Sequence, residues 1–238
     1  VIGILTNVIM IMIGYFATQH EDNCLKASFM INTSGYNIGN FVLPFVQSFF
    51  PGLGVVYLCS FDIGNALMGL GITYAAADHV ASGENHFSLK ELLKKLFSSI
   101  PFDVYVLIFL LAIFKLQIPT PILSIADTIG AGNSFLAMLM IGLLLEIRIS
   151  PREVKNVIKV LYLRIIGTIM ISLITYFIFP LPLLAKQILI MAYCAPLSTV
   201  SAVFTKKVGY VGDMSATANS LSIILGVVCM TVLLVLFI

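Results

Sequence analysis

The sequence predicts an all-α polytopic membrane protein, from its composition, the length of its apolar runs and the way those runs are built. Of its 238 residues 60% are hydrophobic and 10% charged, with a mean hydropathy of +1.07, well outside the balance of a soluble globular domain. Apolar runs recur along the whole length and reach the roughly 20 residues that a helix needs to cross about 30 Å of hydrocarbon. Runs such as VYVLIFLLAIF (104–114) and VVCMTVLLVLFI (227–238) are continuously apolar. A transmembrane barrel would alternate apolar and polar residues, so helices are expected.

Eight spans are expected, at 1–19, 27–50, 53–77, 98–117, 119–146, 154–179, 183–204 and 214–238. The first opens on Val1 without an initiator Met or a charged leader, which reads as a chain that has lost its beginning. The second carries NIGNFVLP (37–44) and the seventh YCAPLSTVSAVF (193–204), each a proline inside an apolar run. The third holds CSFDIGNALMGLGITY (59–74), and the fifth opens on the polar stretch IADTIGAGNSF (125–135). The 78–97 stretch is the one sizeable loop, and its second half reads as a short amphipathic surface helix capped by Ser88 with Glu91 three residues on.

Assigning alternate loops to one side gathers Lys26, Lys90, Lys94, Lys95, Arg148, Arg152, Lys155, Lys159, Lys206 and Lys207 together. Only Lys115 and Lys186 fall opposite. The positive-inside rule makes the richer face cytoplasmic and puts both ends of the chain outside. Arg164, a turn or two inside the sixth span, is expected to snorkel back to the cytoplasmic interface, and Glu146 and Arg148 read as interface charges. A net charge of +2 set by topology gives no sign of a nucleic-acid partner.

Several chemistries are not encoded. Four scattered cysteines, Cys24, Cys59, Cys194 and Cys229, with three histidines form neither a disulfide framework nor a metal site. No nucleophile–base pair, zinc-protease helix, phosphate-binding loop or dinucleotide glycine signature is present, so no enzyme, cofactor or ATP hydrolysis is expected.

The second and third spans correspond in pattern to the last two: a proline-broken span, a brief turn, then a span carrying Asn and small residues. The two units enter the membrane from opposite sides, which is the inverted repeat of a secondary transporter. Spans four to eight make a set of five, and spans one to three match the last three of an equivalent set. The chain therefore divides into 1–77, the last three helices of the first repeat; 78–97, a cytoplasmic linker; and 98–238, a second five-helix repeat. Eight of ten helices of a five-plus-five carrier are expected.

Proline removes a backbone donor and clashes with the preceding turn, and Gly39 permits non-helical geometry, so the second span should unwind near Gly39 and Pro44. Freed N–H and C=O groups cannot face lipid, so such a break must be buried in protein or line a wet cavity. Asn37 and Asn40 supply donors and acceptors there, and Pro196 with Ser198, Thr199 and Ser201 does the same in the seventh span. Half-helix ends offer positive dipole ends to an anion and carbonyls to a cation.

The stretches NTSGYNIGNFVLPFVQSFFPGLGVVYLCSFDIGNALMGLGITY (32–74) and MAYCAPLSTVSAVFTKKVGYVGDMSATANSLSIILGVV (191–228) resemble the fourth, fifth and last two helices of the auxin efflux carrier family. The resemblance runs over essentially the whole chain from the third family helix onward. It implies two inverted five-helix repeats, split into a scaffold and a transport unit in which the broken helices cross and move like an elevator. It also implies substrates such as auxin, malate or malonate, and is compatible with a homodimer in the plasma membrane. Asn37, Gly39, Asn40 and Pro44 fall on the family's first crossing and Pro196 on its second.

Asp62, near the middle of the third span, must face the protein interior, pair with a cation or hold a proton, and is the candidate for coupling to H⁺ or Na⁺. Asn65 lies one turn on along the same face. Thr217, Asn219 and Ser220 occupy the matching region of the last span, and all of these residues could equally hold helices together. Asp127, Gly132 and Asn133 are weaker site candidates. The expected substrate contacts are thus Asn37, Gly39, Asn40, Pro44, Asn65, Pro196, Ser198, Thr199 and Asn219, in a secondary active transporter of small organic anions. The alternative is a non-transporting membrane receptor or complex subunit derived from a carrier.

Overall fold

The computed structural model describes residues 1–83, 90, 93, 94, 97, 100–144 and 151–237. Among them the only extended pairing is a single antiparallel bridge, and everything else regular is helical. α1 spans Ile2–Ala17 and α2 Asn23–Thr33. The α2 start is fixed by Asp22, whose carboxylate accepts the Leu25 N–H at 2.9 Å, satisfying one of the donors that a helix N-terminus leaves orphaned. After a break, α3 spans Ile38–Phe49 and α4 Leu53–Ser82. α5 covers Ile100–Ile113, α6 Thr120–Leu144 and α7 Val154–Phe177. α8 spans Leu183–Tyr193, and after a second break α9 covers Ser201–Lys207 and α10 Met214–Phe237.

Three of these, α4, α7 and α10, are long and apolar enough to cross a membrane alone. At 24 residues α7 and α10 are each about 36 Å long, matching a hydrocarbon core. Their outer faces are aliphatic and open, with Ile169 54% and Val228 57% exposed, while the opposite stripes of Val160, Arg164 and Gly167, and of Ser222, Gly226 and Met230, are buried. An apolar exposed face with polar and small residues turned inward is the pattern of a helix in lipid.

The apolar core gathers around the two breaks. Tyr36, Phe61 and Tyr193 pack edge-on or tilted with ring centroids 5.7–6.4 Å apart, ringed by Met10, Phe41, Val46, Leu58, Ile188 and Met191. α1 packs on α2, α4 and α7; α8 packs on α4 and α7; α10 packs on α7. α5 and α6 stand to one side, against α4 and α3.

Two sequence expectations about the second span change. The run 27–50 is two helices, and the chain leaves helical geometry at Ser34–Asn37, about two turns before Pro44. Pro44 itself lies inside α3, just after a π turn over Ile38–Val42 in which the Leu43 N–H bonds back to the Ile38 carbonyl. The wide turn shifts the hydrogen-bond register where the proline cannot donate, so Pro44 is absorbed without ending the helix. Gly35, at φ +73°, makes the turn at the break instead, a conformation that L side chains rarely adopt. The third span is also longer than expected. α4 continues to Ser82 and stops at Gly83, φ +72°, whose N–H caps the His79 carbonyl, so 78–82 of the expected linker are helical. Ser88, Glu91, Lys95, Glu146 and Arg148 lie outside the described residues.

Candidate functional site

A helix that stops inside a membrane protein leaves orphan amides and carbonyls, and at the first break several of them find partners on other helices. The Gly35 N–H donates to Asn7 Oδ1 of α1 at 2.7 Å. The Tyr36 N–H donates to Asn65 Oδ1 at 3.1 Å, and Asn65 Nδ2 returns a bond to the Tyr36 carbonyl at 2.9 Å. Asn65, on α4, therefore pairs with Tyr36 as a neighbouring strand would. The Asn37 N–H donates to the Pro196 carbonyl of the second break at 3.1 Å, and Tyr36 and Leu197 form the antiparallel bridge. The Leu197 N–H donates to Ser222 Oγ of α10 at 3.1 Å.

One guanidinium ties the two breaks from behind. Arg164 of α7 is 6% exposed. Its Nη1 donates toward the carbonyls of Thr33 (2.8 Å), Gly35 (3.1 Å), Ser34 (3.2 Å) and Asn32 (3.4 Å), and its Nη2 to the Ala195 carbonyl (3.0 Å). Its Cζ also stands 5.3 Å from the centre of the Tyr36 ring. The expectation that Arg164 snorkels to the interface is therefore overturned. The carbonyls at the end of α2 carry about half a negative charge, and a planar fork with five donors satisfies several of them at once.

On the other side the breaks border a cavity of about 390 Å³ whose wall includes Asn37, Asn40, Asp62, Asn65, Ser198 and Thr199. Gly39, Tyr105 and Asn133 also line it. Asp62 is held from two directions: Asn65 Nδ2 donates to one oxygen at 3.0 Å and the Tyr105 hydroxyl of α5 to the other at 3.0 Å. Asn133 of α6 donates to Gln47 of α3 at 3.3 Å. Asn37 and Ser198 are half-buried on this wall, and Asn40 and Thr199 are exposed there.

The structure thus brings Asn37, Gly39, Asn40, Asp62, Asn65, Ser198 and Thr199 to one cavity, and sets three others apart from its wall. Pro44 is buried within α3. Pro196 turns its ring toward α10, where a Cβ built on Gly226 would lie 3.3 Å from Pro196 Cδ. Asn219 holds a buried Oδ1 without a partner. Thr217 and Ser220 are buried in α10. Asp127 lines a separate cavity with Gln47 and Ser48.

Residues that the sequence reading missed are Asn7, Asn32, Arg164, Ser222 and Tyr105. Asn32 donates to Thr205 of α9 at 2.9 Å and accepts from Ser215 of α10 at 2.6 Å, linking three helices. Asn7, Asn32 and Arg164 each stood out as a strongly polar group in an apolar helix, a signal that was present and was read as peripheral or passed over. Ser222 and Tyr105 carried none, because Ser and Tyr are ordinary in membrane helices. Among the described residues no cluster of His, Cys, Asp and Glu could hold a metal ion.

Comparison with known proteins returned no match: no family model, no curated protein and no solved structure is similar to this chain.

Proposed function

We propose that this membrane protein is a secondary carrier of small organic anions. The observation that carries the reading is the pair of broken helices, joined back to back by the Tyr36–Leu197 bridge and opening onto a polar cavity inside an otherwise apolar helical body. Irregular backbone at membrane depth occurs where it is buried in protein or lines a wet cavity, and half-helix ends meeting there are how many carriers hold charged substrates.

The charge preference follows from Arg164. With the carbonyl ends of the first halves engaged by a guanidinium, the groups lining the cavity are the beginning of α3 at Ile38 and the polar side chains of Asn37, Asn40, Ser198 and Thr199. These suit a carboxylate better than a bare cation. A cavity of about 390 Å³ has room for a small organic acid. Asp62 shares that space, so an anion enters beside it when the carboxyl carries a proton or is paired with a cation. That requirement is the basis for coupling to H⁺ or Na⁺.

In this reading the eight expected spans form part of a five-plus-five inverted repeat. α1, α2–α3 and α4 answer to α7, α8–α9 and α10, with Asn65 on α4 and Ser222 on α10 each serving a backbone N–H of its own break. α5 and α6, which stand beside the crossing body, supply scaffold against which it moves.

The test is uptake of labelled malate, malonate and indole-3-acetate into proteoliposomes, with and without pH and Na⁺ gradients. Gradient-dependent accumulation that Asp62→Asn abolishes, and substrate binding that Asn40→Leu abolishes in a folded protein, are the expected results. No flux of any anion from folded protein would replace the carrier with the receptor or subunit reading.

A further inference from the structure

Behind the crossing, away from the polar cavity, a second cavity of about 200 Å³ lies between α7, the start of the second break and α10. Its wall is mainly apolar and includes Arg164, Cys194 and Cys229. Cys194 is the residue at which α8 ends, and Cys229 is exposed on α10 beside Val228, 57% exposed on the aliphatic outer face. The cavity sits near mid-length of both long helices, so in a membrane it opens to hydrocarbon.

The two thiols are brought together by one face of α10. Ser222, Gly226 and Cys229 recur at intervals of four and three residues and therefore point the same way. Ser222 accepts the Leu197 N–H at 3.1 Å. Gly226 lets the α10 backbone lie against the break, where an added Cβ would stand 3.0 Å from Phe41 Cζ and 3.3 Å from Pro196 Cδ. One turn further, Cys229 lines the same cavity as Cys194. Reactive cysteines occupy partly exposed, electropositive surroundings, and here the guanidinium of Arg164 shares the cavity while Cys229 is open.

We propose that Cys194 and Cys229 are a redox pair, oxidised to a disulfide by a lipid-soluble organic hydroperoxide and so stapling the second break to α10. In the first step the Cys229 sulfur attacks the terminal peroxide oxygen. The O–O bond breaks, an alcohol leaves, and the thiol has become a sulfenic acid. In the second, the Cys194 sulfur attacks the sulfenic sulfur, the S–S bond forms, the S–O bond breaks and water leaves. Two thiols lose two electrons and two protons, and the hydroperoxide is reduced to alcohol and water.

The experiment uses the whole protein in lipid nanodiscs, treated with cumene hydroperoxide or, at equal concentration, hydrogen peroxide. Denaturation in N-ethylmaleimide and peptide mass mapping follow. The expected product is a peptide pair joined through Cys194 and Cys229, released by reductant and absent from Cys194→Ser and from Cys229→Ser. Cys24 and Cys59 stay fully alkylated, and cumene hydroperoxide acts several-fold faster than hydrogen peroxide. Full alkylation of both cysteines after oxidation, over-oxidised thiols without a link, or a link through Cys24 or Cys59 would overturn the pairing. Equal or faster linkage by hydrogen peroxide would overturn the hydrocarbon route.

Discussion

Replacing Arg164 by methionine keeps much of the buried stem and removes the fork that holds the two breaks. Nη1 has two hydrogens shared over the carbonyls of Asn32, Thr33, Ser34 and Gly35, and Nη2 serves Ala195, so about three bonds are well formed at any moment. Hydrogen bonds to a charged group contribute about 1.5–3 kcal/mol each in water-soluble proteins. Polar contacts between membrane helices average closer to 0.6 kcal/mol. The bonds alone therefore bracket the loss between about 2 and 9 kcal/mol. Relief from burying a charge offsets the upper end, and removing one partner of a buried charged network usually leaves a net loss of about 3–5 kcal/mol. The expected result is thus a destabilisation of about 3–5 kcal/mol for Arg164→Met. Arg164→Lys should fall between the two, because an ammonium keeps the charge but cannot serve both breaks with one planar fork. Reversible unfolding in mixed micelles measures both. An Arg164→Met protein within about 0.5 kcal/mol of the parent would mean that the guanidinium lies at the interface after all, and would remove the clamp on which the charge argument rests.

Three other outcomes follow from the same geometry. Asn65→Leu leaves the buried N–H of Tyr36 without its partner and its carbonyl with the Ile38 N–H alone, and should lose about 1–3 kcal/mol in the same unfolding assay; an unchanged midpoint would show that the break does not need its cap. Gly3→Ala drives a methyl into the Phe61 carbonyl and to 2.9 Å from the Asn65 amide nitrogen, prising α1 from α4, so a loss of about 1–3 kcal/mol is expected. Gly69→Ala, where nothing lies within 4 Å, should be neutral or slightly stabilising, and an equal loss in both would refute the close-packing argument. Asn32→Leu strands the hydroxyls of Thr205 and Ser215 and should loosen α9, read as faster amide exchange over 201–207 with little change in α6; uniform protection would count against the link.

The membrane class, the helical fold and part of the set of polar residues lining the cavity were legible because each is written in local composition. Hydrocarbon tolerates few buried polar groups, so Asn37, Asn40, Asp62 and Asn65 were conspicuous wherever they fell. The second break was placed at its proline, since Pro196 stands where α8 has already ended and its carbonyl is turned to the other break. The first was misplaced, because proline is a local signal and a π turn is a local remedy for it, whereas Gly35 looked like any other glycine in a membrane helix.

The amino-acid sequence by itself therefore determined that this chain forms helices suited to lipid, and marked some of the polar side chains, Asp62 and Asn65 among them, that need a buried partner. Only the tertiary structure decided which partners they have. A hydrogen bond from Arg164 to Gly35 or from Ser215 to Asn32 joins residues more than a hundred positions apart, and no period or spacing along the chain encodes it. Residues one turn apart can be paired from helix geometry alone, as Asp62 and Asn65 were. Residues on different helices can be paired only once the packing of apolar faces has fixed which helices touch, and that packing sets the two breaks against each other with Arg164 behind them and the cavity in front.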